Sequence, residues 1–265
     1  MEKIEGKYAL VTGASSGIGR EISKILAEKG CNLVVVARRK EKLEKLKKEI
    51  KKNYNEIEIR VIAMDLSLRE APEILYNKIK ELGIDIDILI NNAGYGIHDY
   101  FADIPWEEEN AMLDLLITNV AHSTRLFLKD MLERNFGYIL QVSSIGAFQP
   151  TPSYATYAAA KSFVFNFGIA LNYELRETKV RCCVLCPGVT VTGFQQAAGH
   201  TNQTFFSRLT KTTSRKVAEL GVKGMLKGKD FVVPGLMNSI NSKLMSILPR
   251  RLATQIAFWA MGAPK

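Results

Sequence analysis

The stretch YALVTGASSGIGREI, residues 8–22, decides how this chain folds. An apolar run with the length of a buried strand leads into a glycine-rich loop and then into a helical pattern over 17–29. Glycine lets the backbone turn tightly and approach a phosphate group, and the N-terminus of the following helix favours negative charge. A loop in this position predicts a βαβ unit that binds a dinucleotide. The predicted contacts are Gly13, Ser15, Ser16, Gly17, Ile18 and Gly19.

Strand and helix patterns alternate through the first two thirds of the chain. Further apolar runs lie at 32–38, 59–65, 86–94, 137–144 and 180–188, and helical patterns lie at 40–52, 70–82, 106–134 and 154–177. The runs are apolar throughout instead of alternating, as in parallel strands that are covered on both faces. We therefore predict an α/β fold with one domain over residues 1–265, a Rossmann fold whose doubly wound parallel sheet carries helices on both faces.

The last third of the chain departs from this alternation. Residues 189–213 mix small, polar and aromatic side chains without a period, which predicts either a lid over a ligand crevice or a surface loop without a role. A final strand is predicted at 229–235. The tail over 236–265 carries apolar residues at helical spacing, interrupted by Pro249.

The net charge of +9 raises the question of a nucleic-acid partner. Much of this charge lies in residues 37–60, where lysine and glutamate interleave at helical spacing. Such a pattern is typical of a solvent-exposed helix face, so no nucleic-acid partner is predicted. The chain has no apolar run of the roughly 18 residues that a membrane span needs. The absence of a signal-peptide pattern at Met1 predicts a cytoplasmic location.

Three of the four cysteines crowd into RCCVLCPG, as Cys182, Cys183 and Cys186. CxxC spacing occurs in metal and redox sites. In a strand, however, residues three apart point to opposite faces and cannot share one metal ion. A second ligand pair is also missing, so we predict a structural role for these cysteines and no metal site.

The second strand ends in VVVARRK, which bears on the choice of dinucleotide. A carboxylate at this position would accept a hydrogen bond from the ribose of NAD, but Ala37 stands there and Arg38 and Arg39 follow. Arginine pairs with phosphate through a planar fork, which predicts NADP(H) over NAD(H). Alternatively, both arginines only begin the charged helix. Asp65, at the end of the third strand, can accept from the adenine amino group or cap the strand.

The stretch SYATYAAAK, residues 153–161, holds two tyrosines and a lysine on one predicted helix. A tyrosine has an ordinary pKa near 10 and needs a nearby positive charge to act as an acid or base near neutral pH. Lys161 lies four residues after Tyr157 and so on the same helix face, whereas Ala158 occupies that offset from Tyr154. The spacing favours Tyr157, and the alternative is an ordinary surface pair.

Other polar and small residues fall where they can assist a reaction. Ser143 and Ser144 end the fifth strand and can hold a substrate carbonyl. Asn119 lies within a predicted helix, where asparagine is a weak helix former, and can bind a water that links the lysine to solvent. The small residues of NNAG, 91–94, end the fourth strand and let a nicotinamide ribose approach.

Together these motifs resemble the short-chain dehydrogenase/reductase family over roughly residues 5–235. The matching features are TGASSGIG (12–19), NNAG (91–94), Asn119, Ser144, Tyr157, Lys161, and CPG (186–188) with Thr190 and Thr192. The family's serine usually lies thirteen residues before the tyrosine, which selects Ser144 over Ser143. Many NADP-using relatives carry a basic residue where this chain has Ser16. Here Arg38, alone or with Arg39, must select the 2′-phosphate.

The resemblance implies a catalytic tetrad. Tyr157 would be the general acid in reduction, and Lys161 would lower its pKa and bind the nicotinamide ribose. Ser144 would orient and polarise the carbonyl, while Asn119 would maintain a proton relay through water. The cofactor contacts implied beyond the glycine loop and the two arginines are Asp65, Leu66, Asn92, Ala93, Gly94, Tyr157, Lys161, Pro187, Gly188, Val189 and Thr192.

The implied activity is hydride transfer between NADP(H) and the carbonyl or secondary alcohol of a small molecule. No charged cluster marks a charged substrate, so we expect a moderately apolar ketone, such as a steroid, an acyl chain or a xenobiotic carbonyl. The alternatives are a 3-oxoacyl-thioester reductase and a non-catalytic NADP(H)-binding sensor. The expected substrate contacts are Ser144, Gln149, Tyr154 and Tyr157, with Tyr95, Phe194, Phe205 and Phe206 as further pocket candidates.

Members of this family commonly form homodimers or homotetramers through long helices, and the same assembly is expected here. The tail leaves three roles open. It can contact a partner subunit, cap the pocket, or make peripheral contact with a membrane surface, as basic amphipathic helices do.

Overall fold

The computed structural model describes residues 4–191 and 212–264. The strands of its main sheet are β1 (Tyr8–Thr12), β2 (Asn32–Ala37), β3 (Ile59–Ala63), β4 (Ile86–Asn91), β5 (Gly137–Val142), β6 (Val180–Leu185) and β9 (Phe231–Val232). Their order across the sheet is β3-β2-β1-β4-β5-β6-β9, and every neighbouring pair is parallel. A separate two-stranded sheet pairs β7 (Thr190–Val191) with β8 (Thr212–Thr213).

Helices cover both faces of the main sheet. They are α1 (Gly17–Glu28), α2 (Lys40–Lys51), α3 (Ala71–Glu81), α4 (Trp106–Leu113), α5 (Asn119–Glu133), α6 (Ala155–Glu174), α7 (Ser214–Leu226), α8 (Leu236–Ile247) and α9 (Arg250–Met261). The apolar sides of α1, α2 and α7 pack on one face, and those of α3, α5 and α6 on the other. Successive strand residues serve opposite faces, so Val11 joins the first core and Leu10 the second. The predicted doubly wound α/β sheet is confirmed.

The cysteines lie within these cores. Cys182 and Cys183 follow one another along β6 and pack on opposite faces of the sheet, as the period of a strand requires. All four cysteines are buried and free of disulfide bonds. Among the residues that the structure describes, no helix is both long and apolar enough to cross a membrane.

The strands end earlier than their apolar runs suggested. β4 stops at Asn91, β5 at Val142 and β6 at Leu185. The motifs SS and CPG, and all of NNAG after Asn91, therefore lie in loops over the carboxyl edge of the sheet instead of completing strands. Ligands bind at this edge in open parallel sheets, so the early strand ends free the backbone of these motifs for a site.

The long helix predicted over 106–134 is interrupted. A turn of π-helix over Asp114–Thr118 separates α4 from α5. Arg69 and Asn110 both donate hydrogen bonds to the carboxylate of Asp114, at 3.1 and 3.0 Å. The wider turn begins at this bonded carboxylate and ends directly before Asn119, a residue of the candidate site.

The tail forms two helices, α8 and α9, and Pro249 lies directly before the second one. The predicted interruption at Pro249 is confirmed, because proline cannot continue a helix but can precede its first turn. Of the segment 189–213, the structure describes only the two ends, which pair as β7 and β8. The predicted lid and its aromatic residues, Phe194, Phe205 and Phe206, lie outside the described residues.

Candidate active site

A cavity of about 790 Å³ opens at the carboxyl edge of the sheet. It spans the point where the strand order reverses between β1 and β4, which is where open α/β sheets bind ligands. The loops that follow β1 through β6 supply its walls, and α8 and α9 close one side. The volume falls within the range of about 300–1,000 Å³ that small-molecule sites occupy.

The glycine loop shapes one end of this cavity. Gly13 has a φ of +67° and Gly17 a φ of +57°, values that glycine adopts without strain. The N-cap of α1, Ser16, makes no side-chain capping bond, and the first turn of α1 contains no acidic residue. The first N–H groups of the helix are therefore available to a phosphate, which fits a dinucleotide in this loop.

Gly19 has a packing role that the glycine motif alone did not show. A Cβ at this position would clash with Nδ2 of Asn92, so the glycine lets α1 pack against the loop that follows β4. The predicted contact between Gly19 and a dinucleotide stays a prediction.

The hydroxyl of Thr12 ties the glycine loop to the next loop of the site. It donates to the carbonyl of Ile90 at 3.0 Å and accepts from the backbone N–H groups of Asn92 and Ala93, at 2.9 and 3.0 Å. The side chain of Asn92 donates in turn to the Thr12 carbonyl at 2.8 Å. Our sequence analysis gave Thr12 no role of its own, although its place directly before the first glycine was visible.

Positive side chains gather at the end of the cavity beside β2. Arg38, Arg39 and Lys42 all line the cavity. The guanidinium of Arg39 donates to the hydroxyls of both Ser15 and Ser16 at 3.3 Å. Arg39 thus bonds directly to the glycine loop. Lys42, which the sequence analysis missed, adds a third positive charge in the first turn of α2.

Asp65 lines the cavity close enough to Arg38 to interact with its charge. Burial raises the pKa of its carboxyl, but hydrogen bonds from the backbone and side chain of Ser67 and the charge of Arg38 outweigh burial, so the pKa is lowered overall. Asp65 is therefore a charged acceptor at the cavity wall, as the predicted contact with an adenine amino group requires.

Tyr157 and Ser144 meet above the end of β5. Their side chains share a hydrogen bond, which lowers the pKa of Tyr157, but burial has the larger effect and raises that pKa to about 12. Ser144 also accepts from the N–H of Gly146 at 3.1 Å, which fixes its hydroxyl toward the cavity. Tyr154 packs its ring 5.8 Å from that of Tyr157, and burial raises its pKa as well.

Lys161 is buried beneath this pair. Its ammonium nitrogen lies 5.7 Å from the centre of the Tyr157 ring and donates to the carbonyl of Val142 at 2.9 Å. Burial lowers the pKa of Lys161 to about 8. Burial thus sets the direction of the pKa shift of Tyr157, and the expected lowering of that pKa by Lys161 stays a prediction.

Ser143 and Asn119 make hydrogen bonds that hold the site together. Ser143 lines the cavity beside Ser144, but its hydroxyl donates to the carbonyl of Lys161 at 2.7 Å and so holds α6 to β5. The amide of Asn119 donates to the carbonyls of Leu66 and Leu68, the latter at 2.8 Å. Its Oδ1 is buried and has no hydrogen-bond partner among the described residues.

Most of the predicted site residues line the cavity together. Gly19 and Asn119 lie outside its wall, and Thr192 is not among the described residues. Gln149 lines the cavity with a buried Oε1 that lacks a hydrogen-bond partner in the described part of the chain, and its predicted contact with substrate stays a prediction. The predicted residues on the wall are Gly13, Ser15, Ser16, Gly17, Ile18, Arg38, Arg39, Asp65, Leu66, Asn92, Ala93, Gly94, Tyr95, Ser144, Gln149, Tyr154, Tyr157, Lys161, Pro187, Gly188 and Val189.

The tail helices supply a wall that the sequence analysis could not place. Asn241 and Met245 of α8 reach the cavity, as do Ile256, Ala257 and Met261 of α9. Of the three roles left open for the tail, the structure shows the cap over the pocket. The helical spacing of these residues was visible, but the direction of the helices was not.

Comparison with known proteins agrees with this geometry. The family model for short chain dehydrogenases matches residues 7–203. The very-long-chain 3-oxoacyl-CoA reductase of Mus musculus is 32% identical over 257 residues, which cover 92% of this chain and 76% of the mouse protein.

Solved structures share the fold. A 7β-hydroxysteroid dehydrogenase aligns with a TM-score of 0.86 at 22% identity, over 96% of this chain and 97% of its own. A short-chain dehydrogenase from Sphingobium yanoikuyae in complex with NADPH has a TM-score of 0.79 at 24% identity, over 92% and 96%. A short-chain dehydrogenase/reductase from Burkholderia phymatum in complex with NAD has a TM-score of 0.80 at 23% identity, over 92% and 94%. With its sheet order, its serine, tyrosine and lysine at one edge and the family match over most of its length, this chain belongs to the short-chain dehydrogenase/reductase family of oxidoreductases, which act on carbonyl and alcohol groups.

Proposed function

We propose that this protein uses NADPH to reduce the 3-oxo group of long-chain acyl thioesters. The observation that carries the proposal is the hydrogen-bonded pair of Ser144 and Tyr157 above Lys161, in a cavity whose outer wall is apolar and built from α8 and α9. The first part supplies carbonyl reduction and the second a place for an acyl chain. The reductase names of relatives such as the mouse protein favour a 3-oxoacyl thioester over the broader class of apolar ketones.

The proposed chemistry assigns one task to each residue. Ser144 and Tyr157 both hydrogen-bond to the substrate carbonyl oxygen, and Tyr157 donates its proton as negative charge develops there. A pKa of about 12 keeps Tyr157 protonated and neutral at neutral pH, so the proton that it donates is in place before reduction begins. The bound nicotinamide would supply the hydride. Lys161 places a positive charge beside the tyrosine and stabilises it once the proton has left.

Reprotonation of Tyr157 would run through Lys161 and, by resemblance to the family, through water held near Asn119. Support comes from the buried Oδ1 of Asn119, an acceptor that has no hydrogen-bond partner among the described residues. Burial has already lowered the pKa of Lys161 to about 8, so this lysine can exchange a proton near neutral pH.

A preference for NADP(H) is part of the proposal. Known structures of the family hold either cofactor, so the argument rests on residues of this chain. Arg38, Arg39 and Lys42 converge at the cavity end where β2 stops, and Ala37 replaces the carboxylate that would repel a 2′-phosphate. Arg39 is further oriented by its bonds to Ser15 and Ser16.

Assembly and location also remain proposals. We expect a homodimer or homotetramer formed through α5 and α6, because Leu132, Phe163 and Tyr173 expose apolar surface on these helices. Size-exclusion chromatography with light scattering of wild type and Phe163→Ser tests this, and an unchanged mass would contradict it. The four buried free cysteines are compatible with the reducing cytoplasm that we propose as the location.

The central test measures NADPH oxidation with 3-oxoacyl-CoA thioesters of increasing chain length, next to steroid and aromatic ketones. We expect kcat/KM to rise with acyl length and to exceed the values for the other ketones. Tyr157→Phe should lose about 10²–10⁴-fold in kcat while still binding NADPH. Tyr54→Phe, after α2 and outside the cavity wall, serves as the matched control and should retain full activity.

The other outcomes of this test distinguish the alternative functions. If a steroid or an aromatic ketone is turned over best, the thioester proposal is wrong and the broader apolar-ketone hypothesis stands. If NADPH binds and no member of the panel is reduced, the thioester proposal is wrong, and the result favours the non-catalytic sensor or a substrate outside the panel. Binding is read independently from the fluorescence of the bound nicotinamide.

A further inference from the structure

The outward sides of α8 and α9 expose large apolar side chains next to the cavity. On α8, Leu236, Ile240, Leu244 and Ile247 follow one another at helical spacing, and each is between 45 and 80% exposed. On α9, Leu252 and Trp259 are two turns apart and 43 and 80% exposed. We call this set of six residues the tail face. Residues at these offsets share one side of a helix, so α8 shows an apolar stripe and α9 adds two exposed apolar side chains two turns apart.

Opposite sides of the same helices face inward. Asn238, Ser242 and Met245 of α8 are buried, as are Ala253 and Ala257 of α9. The exposure of the tail face is therefore not caused by loose helices, since each helix is anchored along its other side. The guanidinium of Arg250 also donates to the carbonyl of Phe148 at 3.4 Å, which joins the start of α9 to the segment that follows β5.

The charge around the tail face has one sign. Lys243, Arg250 and Arg251 are all exposed on these two helices. The sequence from 231 to 265 contains no aspartate or glutamate at all. Apolar side chains between basic ones are the composition of helices that lie in the interface of a bilayer with anionic lipids.

We propose that the tail face docks this protein on the surface of a membrane that contains anionic lipids. The apolar stripes would enter the boundary between headgroups and acyl chains, while the basic residues contact lipid phosphates. The proposal goes beyond the chemistry of the active site and does not depend on it. One consequence does rest on the proposed function: Met245 and Ile256 line the cavity from these same helices, so a docked protein would hold its acyl pocket next to the bilayer.

Tryptophan fluorescence can report on docking, because the chain has two tryptophans, Trp259 on the tail face and Trp106 at the start of α4. Both are exposed, at 80 and 61%, and Trp106 is followed by three glutamates. The variant Trp106→Phe therefore reports on the tail face alone, and Trp259→Phe reports on a matched exposed site elsewhere.

The experiment mixes each variant with vesicles of phosphatidylcholine alone or with added phosphatidylglycerol, without substrate or NADPH. We expect the emission of Trp259 to shift to the blue with the anionic vesicles only, and the protein to float with them in a density gradient. The emission of Trp106 should not shift. Raising the salt concentration should weaken binding, since it screens the charges.

Two further variants separate the apolar and electrostatic contributions. Ile240→Ser with Leu244→Ser should reduce vesicle affinity at least tenfold, since it removes apolar surface that would enter the bilayer. Lys243→Glu with Arg251→Glu should also reduce affinity at least tenfold, since each basic residue near an anionic surface contributes up to about tenfold and the variant reverses two such charges. The control Lys45→Glu with Lys48→Glu makes the same change in net charge on exposed positions of α2 and should leave binding unchanged. Circular dichroism confirms that each variant is folded.

Three outcomes would overturn the proposal. The first is that the wild type does not bind anionic vesicles. The second is that the α2 control loses as much binding as the tail variants. The third is that the wild type is a dimer that does not bind vesicles, and that Ile240→Ser with Leu244→Ser converts this dimer to a monomer. The last result would show that the tail face pairs two copies of the chain. Because no turnover is measured, failure here leaves the proposed reductase activity untouched, and failure of that activity leaves this result untouched.

Discussion

The ammonium nitrogen of Lys161 donates a hydrogen bond of 2.9 Å to the carbonyl of Val142, the last residue of β5. The next residue, Ser143, returns a bond of 2.7 Å from its hydroxyl to the carbonyl of Lys161. These two bonds join α6 to the end of β5 in both directions. They fix Ser144, which follows in the chain, relative to Tyr157, which lies one turn before the lysine.

The pH dependence of reduction should report the charge of Lys161. Burial lowers its pKa to about 8, while the pKa of Tyr157 is raised to about 12. Reduction needs both groups protonated, so kcat/KM should be level below about pH 8 and fall toward tenfold per pH unit above it. Initial rates between about pH 6 and about pH 10 check this. A level profile up to about pH 10 would show that the charge of the lysine is not required.

Stability should respond to the same group with a defined sign. The pKa of Lys161 is about 8 in the folded protein, against an ordinary value of 10.5. Between these values the unfolded chain binds more protons, so the free energy of unfolding rises with pH, and below about 8 the cost of the buried charge is fully present. Relative to Lys161→Met, the wild type should gain about 1.5 kcal/mol from about pH 8 to about pH 9.5. Urea unfolding of both proteins at each pH measures the difference, and a constant difference would contradict it.

Cofactor discrimination should depend on both arginines. Arg38→Ala and Arg39→Ala should each lower the ratio of kcat/KM for NADPH over NADH by about 10-fold or more, because a charge-assisted bond to phosphate is removed. Arg39→Ala should also weaken NADH binding slightly, since Ser15 and Ser16 lose a donor. Lys45→Ala, exposed on α2 and away from the cavity, is the control. An unchanged ratio in both arginine variants would assign the preference elsewhere, with Lys42 the next residue to test.

Asn119→Leu should affect both stability and turnover. Removing the amide leaves the carbonyls of Leu66 and Leu68 without this donor, which should cost about 2 kcal/mol of stability. If Asn119 also serves the proton relay, kcat per folded molecule should fall at least tenfold. Asn110→Leu, which loses one bond to Asp114 outside the cavity, should leave kcat unchanged. Equal kcat in both variants would make Asn119 a purely structural residue.

The packing of α6 on β6 depends on Gly168. A Cβ at this position would lie 2.4 Å from Cγ2 of Val184. Gly168→Ala should therefore destabilise the protein by about 1–3 kcal/mol through overpacking. Adding Val184→Ala should recover part of that loss, which a double-mutant cycle on unfolding free energies measures. Additive effects of the two substitutions would show that the contact is not the cause.

Much of the fold follows from local rules that a single sequence obeys. The runs from YALVTG onward are apolar because helices cover both faces, and this pattern alone implied the parallel sheet. The spacing of Tyr157 and Lys161 likewise placed both on one side of α6, where the structure finds them. Strand ends were placed too late, because NNAG and CPG are small or apolar and match a buried strand in composition while serving as loops.

What the sequence could not show depends on contacts between distant segments. Thr12 joins β1 to the loop after β4 across eighty positions of the chain, and nothing near Thr12 indicates its partner. The motif likewise gave no sign that Gly19 packs against Asn92, a residue of the loop after β4. The direction of the pKa shift of Tyr157 depended on the depth of burial, which helical spacing does not reveal.

The closure of the cavity by α8 and α9 has a consequence for how specificity can change over evolution. These helices follow the last strand of the sheet, and the residues of the catalytic edge all precede them. A pocket wall at the end of the chain can be lengthened, shortened or exchanged by recombination without disturbing the loops that hold the reacting groups. Swapping residues 236–265 for the tail of a relative is therefore a direct way to engineer a new substrate range on an unchanged catalytic core.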